Sequence, residues 1–116
     1  MKINQFEDIV AWQKSKVLAV EIYSQFRSLN DYGFKDQICR ASVSVMNNIA
    51  EGFERRSDQD FKKFLYISKG SCGEIRSMRH LAKELNYISP EIHKNFLNKS
   101  TEISKLISGL IKSLAS

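Results

Sequence analysis

The stretch QICRASVSVMNNIAEGFERR, residues 37–56, decides how the chain is read. From Gln37 to Glu54 nothing breaks a helical pattern except Gly52 near its end. At roughly 100° per residue, Ile38, Ala41, Ser42, Val45, Ile49 and Phe53 share one side, and Val43, Met46 and Ala50 widen that band on one flank. Arg40, Ser44, Asn47, Glu51 and Glu54 fall opposite, with Asn48 and Arg55 at the edge. A broad apolar band with a narrow polar seam predicts a helix inside a helical bundle. The seam residues Gln37, Arg40, Asn48 and Glu51 admit two roles. The preferred one is structural: they hydrogen-bond and pair across helices or subunits, satisfying buried polar groups. The other is contact with a ligand or nucleic acid. Glu51 and Glu54 on the same seam suit arginine pairing better than phosphate binding.

Downstream, Ser57 reads as an N-cap with Asp60 at the capping-box position. The next helix is expected from Asp58 to about Ile88. Within it Phe61, Ser68, Ile75 and Ala82 are seven apart, and so are Phe64, Ser71, Met78 and Leu85, which makes a left-handed bundle seam. Ser68, Gly70, Ser71 and Gly73 predict a close helix–helix crossing there. Ser89 and Pro90 cap and start a fourth helix, whose apolar face carries Ile92, Phe96, Ile103, Leu106, Ile107, Leu110 and Leu114. Its other face, of serine, lysine and asparagine, reads as solvated.

Upstream, Asn4 with Glu7 forms a second capping box, opening a helix to about Leu29. Its expected core stripe is Ile9, Trp12, Ala19, Tyr23 and Phe26, interrupted by Lys16. Trp12 reads as a packing anchor rather than a base-stacking residue. Asn30-Asp31-Tyr32-Gly33 reads as the turn between the first two helices. The expected fold is therefore all-α, an up-down-up-down, left-handed four-helix bundle, in one domain over residues 1–116.

Composition agrees with that architecture. One proline and five glycines suit long helices with short loops. Cys39 and Cys72 lack metal-ligand spacing, so a reduced, cytoplasmic setting is expected. No run approaches the roughly 20 apolar residues of a membrane span, and the first residues show no signal-peptide pattern. Enzyme and metal readings find little footing. His80 and His93 follow Ser77 and Pro90 at three residues, not glutamate, so the Glu-x-x-His motif of di-iron bundles is missing. Phosphate-loop and dinucleotide fingerprints are also missing. No cofactor and no catalytic or metal-binding residue is expected.

The charge is informative. The chain carries a net +5 and a pI near 9.3. From Arg55 to Lys83 there are eight basic and three acidic residues, whereas the rest has ten of each sign. Lys62, Lys69, Arg76 and Lys83 are spaced by seven and so line up along the third helix, with Arg79 and His80 beside the C-terminal half. Such a line can follow a phosphate backbone and release counterions, or can simply keep a surface soluble. Lys62, Lys69, Arg76, Arg79 and Lys83 are the expected nucleic-acid contacts.

The chain resembles the small bacterial four-helix-bundle family encoded in intervening sequences of 23S rRNA genes. The resemblance rests on the run QICRASVSV with NIAEG, on Phe6 and Trp12-Gln13-Lys14, on Tyr32-Gly33-Phe34, and on Phe61, Phe64-Leu65, Gly70-Ser71 and Glu74. The ribosomal label of that family rests on gene position. Met46 stands where the family commonly has proline, and Cys39 where it commonly has a basic residue. The resemblance extends to the accessory protein of diversity-generating retroelements. It implies a homopentameric ring that binds nucleic acid and a protein partner such as a reverse transcriptase, and a ring would present the basic stripe repeatedly. The expected function is thus a non-enzymatic, oligomeric nucleic-acid-binding protein. The alternative is a protein–protein scaffold or adaptor that recognises an acidic partner protein.

Overall fold

Ile9, in an extended conformation, opens the first long helix. The computed structural model describes residues 3–114. A short 3-10 turn at Phe6–Asp8 precedes α1 (Val10–Phe26), which is followed by α2 (Tyr32–Phe53), α3 (Asp58–Glu84) and α4 (Pro90–Ser113). The architecture is an all-α four-helix bundle with short connections. α1 packs against α2 and α4, and α3 packs against the same two helices. Neither diagonal pair makes backbone contact among the described residues.

The caps explain most boundaries. Ser57 accepts from the Asp60 amide at 3.1 Å and Ser89 from the Ile92 amide at 3.1 Å, as expected at both helix starts. Asn4 does not cap α1. Instead the Gln13 side chain donates to the Glu7 carbonyl at 2.8 Å, and Phe6 meets Trp12 edge-on at 5.1 Å. Half-buried Trp12 is a packing anchor, with the Lys16 ammonium 5.6 Å from its ring centroid. α1 also stops at Phe26, short of Leu29. α2 starts within the expected turn, because Asp31 is its N-cap, accepting from the Phe34 amide at 3.2 Å. α3 ends before Leu85. Asn86 sits at φ 62°, the Tyr87 amide bonds the Ala82 carbonyl at 2.8 Å and the Asn86 amide bonds that of Lys83 at 3.0 Å. That is a Schellman stop with asparagine in the left-handed position.

The buried band of α2 is the expected one: Ile38, Ala41, Ser42, Val45 and Ile49 are buried, and Val43, Met46, Ala50 and Phe53 are half-buried. The first heptad row of α3 is buried throughout. In the second row, Leu85 lies beyond the helix and is exposed. The α1 stripe is partly the expected one, with Ile9, Ala19 and Phe26 buried and Trp12 half-buried. Its core row is Ala11, Ser15, Leu18, Ile22 and Phe26, while Tyr23 is exposed. Ser15 hides this row in the sequence, yet it fits the core because its hydroxyl donates to the Ala11 carbonyl at 2.6 Å.

The close crossing lies where expected at its serines but not at its glycines. Ser68 and Ser71 do face α2, but a Cβ on Gly70 or Gly73 would meet nothing within 4 Å. The residue that allows the approach is Gly52 of α2. A Cβ there would come within 2.7 Å of Phe64 Cβ and 2.9 Å of Phe61 Cδ1. Gly52 thus seats α3 against the end of α2. At the other end of the bundle, Tyr87 joins the two helix–helix turns. Its hydroxyl donates to Asp31 at 2.7 Å, and its ring meets Phe34 edge-on at 5.4 Å.

Candidate nucleic-acid interface

The heptad cations of α3 lie along its α4 side. Lys69 and Arg76 are exposed there and form one wall of a groove of about 490 Å³. α4 supplies the other wall with Lys105 and Lys112, and Thr101, Ser104, Ser108 and Gly109 line the space between. The two α4 lysines are also seven apart, so two helices present matching rows of positive charge to one concavity. Among the described residues no carboxylate lies at ion-pairing distance from any of the four. Ion pairs among the described residues engage Lys14 with Glu102, Arg40 with Asp36, Arg55 with Glu51, and Lys99 with Glu21. Four unpaired cations beside hydroxyl donors form a surface suited to phosphate oxygens.

Other members of the expected stripe lie off the groove. Lys62 and Lys83 continue the row on α3, the first half-buried and the second exposed, and neither lines the concavity. Arg79 departs from the expected surface position: at 6% exposure it is buried between α3 and α4. The rotation from Arg76 to Arg79 carries it off the basic row and into the buried face of α3. Its guanidinium donates to His93 Nε2 and, at 3.3 Å, to His80 Nε2. His93 Nδ1 in turn donates to the Arg79 carbonyl at 3.2 Å, which fixes a neutral ring with its proton on Nδ1. Arg79 Nε has no partner among the described residues. Burial, and then the neighbouring Arg76, pull the guanidinium below its usual pKa. Arg79 therefore organises the helix pair and does not present charge to a surface ligand.

The polar seam of α2 is more exposed than its sequence pattern suggests. Gln37, Arg40 and Glu51 are exposed and Asn48 is half-buried. Gln37 reaches across to Glu74 of α3 at 3.3 Å. Arg40 pairs with Asp36 at 2.9 Å and Glu51 with Arg55 at 2.8 Å, both within α2 or its end. Asn48 donates to the Ser44 carbonyl at 2.8 Å. The buried polar links between α2 and α3 come from serines. Ser68 donates to the Val45 carbonyl at 2.6 Å, and Ser71 donates to Ser44 Oγ at 2.8 Å. Between α2 and α3 the buried links are thus small hydroxyls, while Gln37 makes its cross-helix contact at the surface.

Taken together, the fold and the paired cation rows define a small helical bundle with a basic groove between its last two helices. The chain belongs to the family described as 23S rRNA-intervening sequence protein, whose family model matches residues 7–109. It is similar in structure to a protein of unknown function from the S23 ribosomal protein family of Bacteroides thetaiotaomicron, with a TM-score of 0.83 and 30% identity. That match covers 90% of this chain and 96% of the other. No curated protein matches the chain.

Proposed function

We propose that this protein is a non-enzymatic homo-oligomer, a pentameric ring, that binds nucleic acid in the groove between α3 and α4. The observation that carries this reading is the set of four unpaired cations, Lys69, Arg76, Lys105 and Lys112, from two helices around one concavity. The hydroxyls of Thr101 and Ser108, half-buried at the groove, have no acceptor among the described residues and add to the donors. No aromatic residue lines the groove, so contacts fall on the phosphate backbone and binding is sequence-tolerant. Lys62 and Lys83 extend the row at either end. Self-assembly is supported by apolar surface left open in one chain. Val10, Val17 and Val20 on α1 are each about half exposed or more, and Ile67 and Leu81 on α3 are half exposed. Both cysteines are buried and free, which suits the cytoplasm. No helix among the described residues is long and apolar enough to cross a membrane.

The test is binding to RNA and DNA across a salt series, with assembly mass followed by light scattering. Each phosphate neutralised contributes about 0.7 to 0.9 to the slope of log affinity against log salt. Changing Lys69, Arg76, Lys105 and Lys112 together to glutamine is expected to weaken binding of both nucleic acids and to flatten the slope by about 3, while assembly mass stays unchanged. An assembled quadruple variant that binds as well as wild type overturns the groove assignment. A wild type that ignores nucleic acid at low salt favours the scaffold alternative, with the same cations meeting an acidic protein.

A further inference from the structure

A second concavity lies between α1 and α2, on the opposite side of the bundle from the basic groove. Its volume is about 720 Å³, in the range of roughly 300–1,000 Å³ typical of small-ligand pockets. Two tyrosines line it, Tyr23 from α1 and Tyr32 from the first turn of α2. They are 48% and 68% exposed, so neither ring is used up by the core. Arg27 and Lys35 supply positive charge. Lys35 is held in place: its ammonium donates to the Arg27 carbonyl at 3.2 Å and lies 5.3 Å from the Tyr32 ring centroid. The one carboxylate of the lining, Asp36, is already paired with Arg40 at 2.9 Å. Cys39 adds a buried thiol, which burial keeps protonated by raising its pKa. The pocket therefore combines aromatic surface, positive charge with no carboxylate paired to it among the described residues, and a neutral thiol.

A planar aromatic ligand that carries an anionic group matches all three features. We propose that this pocket takes one unpaired nucleotide of a single-stranded nucleic acid, its base stacked on Tyr32 and Tyr23 and its phosphate on Arg27 and Lys35. This rests on the nucleic-acid-binding reading above and adds to it. The basic groove has cations without aromatics and engages backbone, whereas the pocket has both and prefers strands with free bases. Base–aromatic stacking is sequence-tolerant, and loss of a stacking ring typically weakens binding by about 5-fold or more.

The experiment compares a short single-stranded RNA, a duplex of equal length and free AMP, all on the assembled full chain. The RNA carries one fluorescent adenine analogue whose emission stacking quenches. The variants are Tyr23→Leu with Tyr32→Leu, and as a rescue Tyr23→Phe with Tyr32→Phe. Both tyrosines are exposed, so the substitutions leave the core untouched. The leucine pair is expected to lose about 10-fold in single-strand affinity and to abolish the quenching, with duplex binding unchanged. The phenylalanine pair is expected to keep both. If the leucine pair binds and quenches like wild type, the pocket assignment fails while the groove reading stands. If only AMP binding depends on the tyrosines, the site belongs to a free nucleotide and the single-strand assignment fails. A changed assembly mass in the leucine pair places a neighbouring copy in the pocket and overturns the proposal. If wild type binds neither RNA at low salt, the nucleic-acid reading fails with it.

Discussion

On its α2 side, α3 comes so close that Gly52 has no room for a methyl group, whereas on its α4 side the same helix leaves a groove between exposed cations. The polar groups follow the same division. Ser68 and Ser71 turn inward and are consumed by α2, while Thr101 and Ser108 of α4 stay half-exposed at the groove with no protein acceptor among the described residues. One helix thus has a flank whose polar groups are consumed by its neighbour and a flank where, Arg79 apart, exposed donors remain available. A close contact satisfies its polar groups internally. An open one keeps them for a ligand.

This contrast can be broken at its tightest point. Gly52→Ala forces a Cβ against Phe61 and Phe64. Overpacking of this kind costs about 1–3 kcal/mol, against roughly 1 kcal/mol gained from alanine's helix propensity. The net expectation is a melting temperature several degrees lower, read by thermal unfolding. The matching change at an open position, Gly70→Ala, meets nothing within 4 Å and is expected to stabilise by up to about 1 kcal/mol. A fall at Gly70 instead would show that something packs there in solution, and a neutral Gly52→Ala would refute the crossing.

A smaller effect sharpens the α4 side. Burial holds His93 below the usual imidazole pKa, and the charges of Arg79, Lys83 and His80 add to this, against the opposing pull of the bond to the Arg79 carbonyl. The folded pKa is thus lower than the unfolded one, and between the two the unfolded chain binds more protons. Stability is complete above about pH 6.5 and declines as pH falls through the depressed value. Thermal unfolding at about pH 7.5 and about pH 5.5 is expected to show a drop in wild type that shrinks in His93→Gln. An equal drop in both proteins would place the titration elsewhere.

Much of the bundle is legible in the residues themselves. Ser57, Ser89 and Pro90 mark helix starts by local chemistry, and the heptads of α3 survive because apolar side chains at that spacing can face only one way. What is hard to see depends on partners distant in the chain. Gly52 reads only as a break near the end of a helical pattern until Phe61 and Phe64 are placed beside it. The core row of α1 is obscured by Ser15, whose hydroxyl satisfies itself on its own helix. Lys105 and Lys112 read as a solvated face, although their seven-residue spacing, set antiparallel to Lys69 and Arg76, is the signal that could have joined them. Arg79 fails as a surface contact for the opposite reason: proximity in sequence to a basic row does not give it the same azimuth. The pocket at Tyr23 and Tyr32 is obscured when Tyr23 is assigned to the core and Tyr32 to a turn.

The Tyr87–Asp31 bond bears on the order of events in folding. It joins residues 56 positions apart, and with the Phe34–Tyr87 ring contact it ties the α1–α2 hairpin to the α3–α4 hairpin. Each hairpin closes over a short loop, so its contacts are local and form early, while a link between hairpins forms only once they have docked. An interaction absent from the transition state influences only the way out of the native state. Tyr87→Phe, which keeps the ring and removes the hydroxyl, is therefore expected to shorten the lifetime of the folded chain in stopped-flow unfolding while leaving its rate of formation unchanged.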